Sequence, residues 1–212
     1  MKKRIELVYK IVNALMLWFA LILQFYISTR LYLEDGRSTA GAIVQIISYY
    51  TIQTNLLIAA AMTCILIKPG SKLGNFFSRT SVLTAIAVYI LIVGLIYATI
   101  LKGIWKLEGL FKLTDFLLHT LSPIAYVLFW IIFVPKDKIK WKSLLSWALF
   151  PLLYLIYSLI RGAISGYYPY PFVDAAKFGY AQVAINAVGV LLLFLAISSL
   201  LIGVARLYPK RS

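Results

Sequence analysis

Residues 80–101, between Arg79 and Lys102, read TSVLTAIAVYILIVGLIYATIL, without one charged side chain. As a helix rising 1.5 Å per residue, about 20 apolar residues cross the roughly 30 Å of hydrocarbon in a bilayer. Working outward from this run, the same pattern recurs at 7–33, 43–67, 115–134, 144–161 and 178–205. Each run is ended by charge, glycine or proline: Glu34-Asp35-Gly36, Lys68-Pro69-Gly70, Lys102-Gly103, Pro135-Lys136-Asp137-Lys138 and the Gly162-to-Lys177 connection. The composition agrees. The chain is 62% hydrophobic with a mean hydropathy of +0.90, against about 45–50% apolar residues in soluble domains. These patterns predict an all-α integral membrane protein, a bundle of six transmembrane helices forming one domain over 1–212. Lys2, Lys3 and Arg4 precede the first run as in a signal peptide. The run is too long for such a segment and no small-x-small cleavage site follows it, so a retained helix is expected.

The net charge of +14 does not point to nucleic acid. The basic residues punctuate the chain between apolar runs, as topogenic Lys and Arg do, instead of forming one patch interleaved with aromatics. Anionic lipid headgroups are the partners this distribution fits. The N-terminus, second and fourth loops and C-terminus carry fourteen of the 21 Lys and Arg, which predicts both termini on the cytoplasmic side of a cell membrane. Glu34, Asp35, Glu108, Asp115 and Asp174 fall on the opposite side. Tyr and Trp near the ends of spans read as interface anchors. The single cysteine, Cys64, excludes an intrachain disulfide and reads as a small hydrophobe. The single histidine, His119, excludes a bis-histidine haem within the chain and argues against a zinc site, so no cofactor and no metal is expected.

Polar side chains within the spans carry the functional signal, since they are costly in lipid and face the bundle interior. On the second span Ser48, Thr51, Thr54 and Asn55 share one broad face, with Gln53 off it. Thr51 and Asn55 stand one above the other at i,i+4. On the fourth, Asp115, His119 and Ser122 share a face. The sixth adds Gln182 and Asn186, and Arg161 ends the fifth. With the even-numbered spans starting outside, Thr51 and Asn186 lie roughly 12 Å and His119 roughly 6 Å below the outer surface. The polar groups therefore fall in the outer half of the bundle, above inner halves of Leu, Ile, Val, Ala and Phe.

A threonine and a histidine in a water-poor pocket can perform acyl transfer. The hydroxyl is a weak nucleophile until a base takes its proton, and neutral imidazole is the usual base near pH 7. Asp115, one turn from His119, can orient the ring, and Asn55 or Gln53 can donate to an oxyanion. Against this stand plainer roles. Ser48, Thr54 and Ser122 can bond their own i−4 carbonyls or join helices, as can Gln182 and Asn186. His119 with Asp115 can serve as a proton relay. Six spans also suit a rhomboid-type serine protease, but Ser165 lies beside a loop and no histidine follows it.

Three segments in order carry a family resemblance: Tyr49-Tyr50-Thr51-Ile52-Gln53-Thr54-Asn55, Asp115-Phe116-Leu117-Leu118-His119-Thr120 with Pro123, and Tyr167-Tyr168-Pro169-Tyr170-Pro171-Phe172-Val173-Asp174. On a six-span chain of this length they resemble the androgen-induced-protein-like family, in a prokaryotic branch. The resemblance implies a multipass threonine hydrolase. Animal members cleave fatty acid esters of hydroxy fatty acids, with a Thr early in the second span and a His on the fourth. These fall here on Thr51 and His119. Animal members tend to carry Asn where this chain has Asp115. The expectation is an intramembrane lipid-ester hydrolase acting on a fatty-acyl ester. The alternative is a non-catalytic lipid-binding or transport protein that uses the same polar cluster as a headgroup or proton site.

Overall fold

The computed structural model describes residues 1–104, 106–136 and 139–207. Asp137, Lys138, Lys210 and Arg211, which the charge pattern uses, lie outside the described residues. Every regular element among the described residues is helical, as a bilayer demands when each backbone amide must be satisfied within its own segment. The long helices are α1 (Lys2–Glu34), α3 (Tyr50–Ile67), α5 (Thr80–Ile96), α6 (Gly109–Phe116), α7 (Ser122–Phe133), α8 (Ser143–Ser165) and α9 (Ala175–Leu207), with short α2 (Thr39–Ile47) and α4 (Lys72–Phe77) between them. A π-helical turn, Tyr97–Leu101, extends α5, and another, Leu117–Leu121, joins α6 to α7 without a break. Six continuous segments are thus long and apolar enough to cross a membrane: 2–34, 50–67, 80–101, 109–133, 143–165 and 175–207. The protein is an all-α, multi-pass membrane protein.

Two boundaries differ from the hydropathy reading in ways that matter for function. The second run, expected as one helix over 43–67, is divided at Ser48 and Tyr49, where Tyr49 takes an extended conformation (φ −78°, ψ 129°). Neither Gly nor Pro marks the break. A polar side chain serves the interrupted ladder instead: Gln53 Nε2 donates to the carbonyl of Ile47, the last residue of α2, at 3.0 Å, while Ser48 Oγ adds a 2.6 Å bond to the Val44 carbonyl, which already accepts the Ser48 amide. Thr51 is consequently the second residue of a span instead of lying well down one. The fourth span begins at Gly109 rather than 115, because Lys112 sits on the helix and not in the preceding loop. His119 therefore lies roughly 15 Å along its helix, not 6 Å.

The chain forms two compact units, Met1–Lys138 and Ile139–Ser212. In the first, α1, α3, α5 and α6–α7 pack on one another. Fully buried alanines (Ala20, Ala59, Ala61, Ala87) let the helices approach, and Trp130, Tyr126, Phe129 and Met62 fill the core. The aromatics are tied at their polar tips: Trp130 Nε1 donates to Thr84 Oγ1 at 2.9 Å and Tyr126 Oη to the Leu83 carbonyl at 3.2 Å. Such ties are needed where no water can serve. α6–α7 runs antiparallel to α1. Tyr9 Oη reaches the Ala125 carbonyl at 2.9 Å, while Thr114 Oγ1 donates to Gln24 Oε1. At the end of α7 the Lys136 ammonium donates to the carbonyls of Trp130, Ile131 and Val134 at 2.8–2.9 Å, closing the helix terminus with a cation at its negative end.

In the second unit α8 packs on α9. Gly166 ends α8 in the left-handed conformation (φ 70°), and α9 contains one non-helical residue, Gly179 (φ 76°, ψ 156°). The Tyr-Pro-Tyr-Pro stretch leads into a 3₁₀ turn, Pro171–Val173.

Candidate active site

His119 occupies the middle of the Leu117–Leu121 π turn, a helix type found disproportionately at functional sites. Asp115 stands four residues earlier on α6. The i,i+4 step closes into a direct contact: His119 Nδ1 lies 3.0 Å from Asp115 Oδ1 and 3.2 Å from the Asp115 carbonyl oxygen. Both oxygens are acceptors, an arrangement that favours a proton on Nδ1 and turns Nε2 away from the carboxylate. The two side chains are 20% and 18% exposed, which leaves the pair accessible while most of its surface is packed.

The second carboxylate oxygen, Asp115 Oδ2, accepts the Tyr97 hydroxyl. Tyr97 begins the π turn that extends α5, and its ring also stacks on the imidazole with centroids 4.2 Å apart and planes 15° from parallel. The close approach of α5 to this region depends on Gly94, where a Cβ would sit 3.2 Å from Pro123 Cβ and 3.7 Å from the His119 carbonyl oxygen.

Thr51 is buried in the first turn of α3, where the positive end of the helix dipole favours developing negative charge. Asn55, one turn on, joins this turn to His119's helix. Its Nδ2 donates to the Thr51 carbonyl at 2.9 Å and to the Leu118 carbonyl at 3.3 Å, while its Oδ1 accepts from Ser122 Oγ at 2.5 Å. Of the face anticipated for Ser48, Thr51, Thr54 and Asn55, the last three are buried on α3, with Gln53 only partly so, while Ser48, also buried, lies across the break at the end of α2. The oxyanion role considered for Asn55 is not what its amide does here: both N–H groups are given to backbone carbonyls. Gln53 spends one N–H on the helix break. Ser48 bonds back along its own helix and Ser122 joins two helices, as expected of such residues. Thr54 does neither, and its buried Oγ1 finds no hydrogen-bond partner among the described residues.

Arg161 and Asn186, which the sequence places among the polar groups of the spans, belong to the second unit and fasten its loop. Arg161 Nη1 donates to the Tyr167 carbonyl at 2.9 Å with the guanidinium over the Tyr167 ring. Asn186 Nδ2 donates to the Phe172 carbonyl at 2.8 Å and its Oδ1 accepts from Gln182 at 3.1 Å. Sequence reading missed Tyr97 altogether. Lying near the end of a span, it reads as an interfacial anchor, and no spacing rule links it to residues of the next span.

Compared with known proteins, the chain matches no family model, no curated protein and no solved structure.

Proposed function

We propose that this protein is an intramembrane hydrolase of lipid carboxylic esters, with Thr51 as nucleophile and His119 as general base. The observation that carries the reading is the Asp115–His119 pair, held on a helix that Asn55 ties to the turn bearing Thr51. In the reaction His119 Nε2 takes the Thr51 hydroxyl proton as Oγ1 attacks the ester carbonyl. Asp115 holds the ring in the Nδ1–H tautomer and stabilises the imidazolium that forms. The imidazolium then returns its proton to the departing alkoxide. Water, activated by the same imidazole, cleaves the acyl-threonine and regenerates the hydroxyl.

The resemblance of the three sequence segments to the androgen-induced-protein-like family narrows the substrate to a fatty-acyl ester, of the kind in which a hydroxy fatty acid is the leaving group. The charge distribution supports placement in a cell membrane with both termini cytoplasmic, the substrate entering laterally from the lipid. The test is hydrolysis of such an ester by the detergent-purified chain, followed by mass spectrometry of the released acid. Turnover lost in Thr51→Ala and His119→Ala, with helicity and melting retained, is the expected result. Full turnover in Thr51→Ala removes the nucleophile assignment.

One observation favours a second reading. A Tyr, an Asp and a His linked in series inside a membrane span also make a proton path. A lipid-binding or transporting protein would use His119 without Thr51. In that case His119→Ala abolishes ligand binding or uptake, no acid is released, and Thr51→Ala is silent.

A further inference from the structure

We infer that Tyr97 is the positioning residue of His119, fixing which imidazole nitrogen is presented for chemistry. This rests on the reading of His119 as the base and names what sets its tautomer. A carboxylate beside an imidazole does not by itself settle the tautomer. The Asp115 group can rotate about its own bonds, and the imidazole can flip to present either nitrogen. Here the same side chain restrains both freedoms. The Tyr97 hydroxyl donates to Oδ2, so the carboxylate is held with Oδ1 toward Nδ1. The Tyr97 ring lies flat on the imidazole at 4.2 Å, which holds the ring in one plane and makes a half-turn that would exchange its nitrogens break the stack on the way. One residue makes both the hydrogen bond and the stack, from the π turn that extends α5 to the π turn bearing His119. Gly94, one turn earlier, lets α5 come close enough. An interfacial anchor would point its hydroxyl toward headgroups, whereas this one is given to a carboxylate within the protein.

His119 is the only histidine in the chain, so histidine labelled with ¹⁵N gives the signals of one imidazole in the full-length, detergent-purified protein. In the wild type the shifts are expected to report a single tautomer with Nδ1 protonated and Nε2 bare. Tyr97→Phe keeps the stack and removes only the hydrogen bond. It is expected to give a mixture of tautomers, and Asp115→Asn should give a larger change in the same direction. On the ester substrate, Tyr97→Phe should lower kcat by roughly 10- to 100-fold with little change in KM, the signature of a misplaced base instead of lost binding. A wild-type tautomer in Tyr97→Phe together with unchanged kcat overturns the inference and leaves the hydrolase proposal to the Thr51 variant. A shifted tautomer in a protein that releases no acid from any ester supports the positioning role and counts against the hydrolase instead.

Discussion

Replacing Asn55 with Ala tests the link on which the candidate site depends. The side chain makes three hydrogen bonds. The one to the Thr51 carbonyl stays within α3 and its loss is cheap, because that carbonyl also faces the helical ladder. The other two cross between helices, from Nδ2 to the Leu118 carbonyl at 3.3 Å and from Ser122 Oγ to Oδ1 at 2.5 Å. Interhelical hydrogen bonds in membranes average about 0.6 kcal/mol and reach about 1.7 kcal/mol. Two of them set the expected destabilisation at about 1–3 kcal/mol. Ser122→Ala removes one and should cost about half as much. The two substitutions should not add. Once Asn55 is gone, the Ser122 hydroxyl can turn to the Leu118 carbonyl at i−4, so removing it as well costs little more. Unfolding of the four proteins in mixed micelles of rising SDS fraction, followed by circular dichroism, gives the coupling. A value of about 0.5–1.5 kcal/mol is expected. Costs that add within about 0.3 kcal/mol would mean that α3 and α7 are not joined here, and the alignment of Thr51 with His119 would lose its support.

Asp115→Asn should lower hydrolysis by roughly 100- to 10,000-fold, since an amide can hold the imidazole in the wrong tautomer; steady-state release of the acid measures this. Lys136→Met keeps a flexible apolar side chain and removes the ammonium from three carbonyls and from the face of the Trp130 ring. A loss of about 2 kcal/mol is expected in micelle unfolding, and an unchanged transition would show that the cation does not hold the end of α7. Gly162→Ala places a methyl group inside the Tyr168 ring. It should release the Tyr167–Val173 segment, seen as faster cleavage there by a soluble protease, whereas wild-type cleavage rates would mean that the ring does not lie on α8.

How far the sequence foretold this arrangement depended on the kind of signal. The apolar runs specify six spans because a bilayer admits little else, and the boundaries at Thr80 and Leu101 are met to the residue. The Asp115–His119 contact was legible because helix geometry stacks i on i+4. The break at Ser48–Tyr49 was not, because the Ile47 carbonyl is taken by the Gln53 side chain, with no Gly or Pro to announce it. The early start of the fourth span was hidden by Lys112, a charge that hydropathy assigns to water. Tyr97 could not be found by any local rule, since its partners lie on the following span and the pairing depends on two π turns that single-sequence periodicity, tuned to 3.6 residues, does not register.

Those two π turns also bear on how the chain tolerates length changes. A wide turn holds one residue more than an α turn, and one residue is about 100° of rotation. The Leu117–Leu121 turn therefore works as a phase shifter. Above it the helix shows Thr114 to α1 and Asp115 to α5. Below it, Ser122 meets α3 and Tyr126 meets α5. Deleting a single residue there would leave an unbroken α-helix of acceptable length and hydropathy, still able to insert, yet with its upper half turned away from every neighbour it serves. Such a deletion is harsher than most substitutions in this protein, although nothing in its composition would betray it.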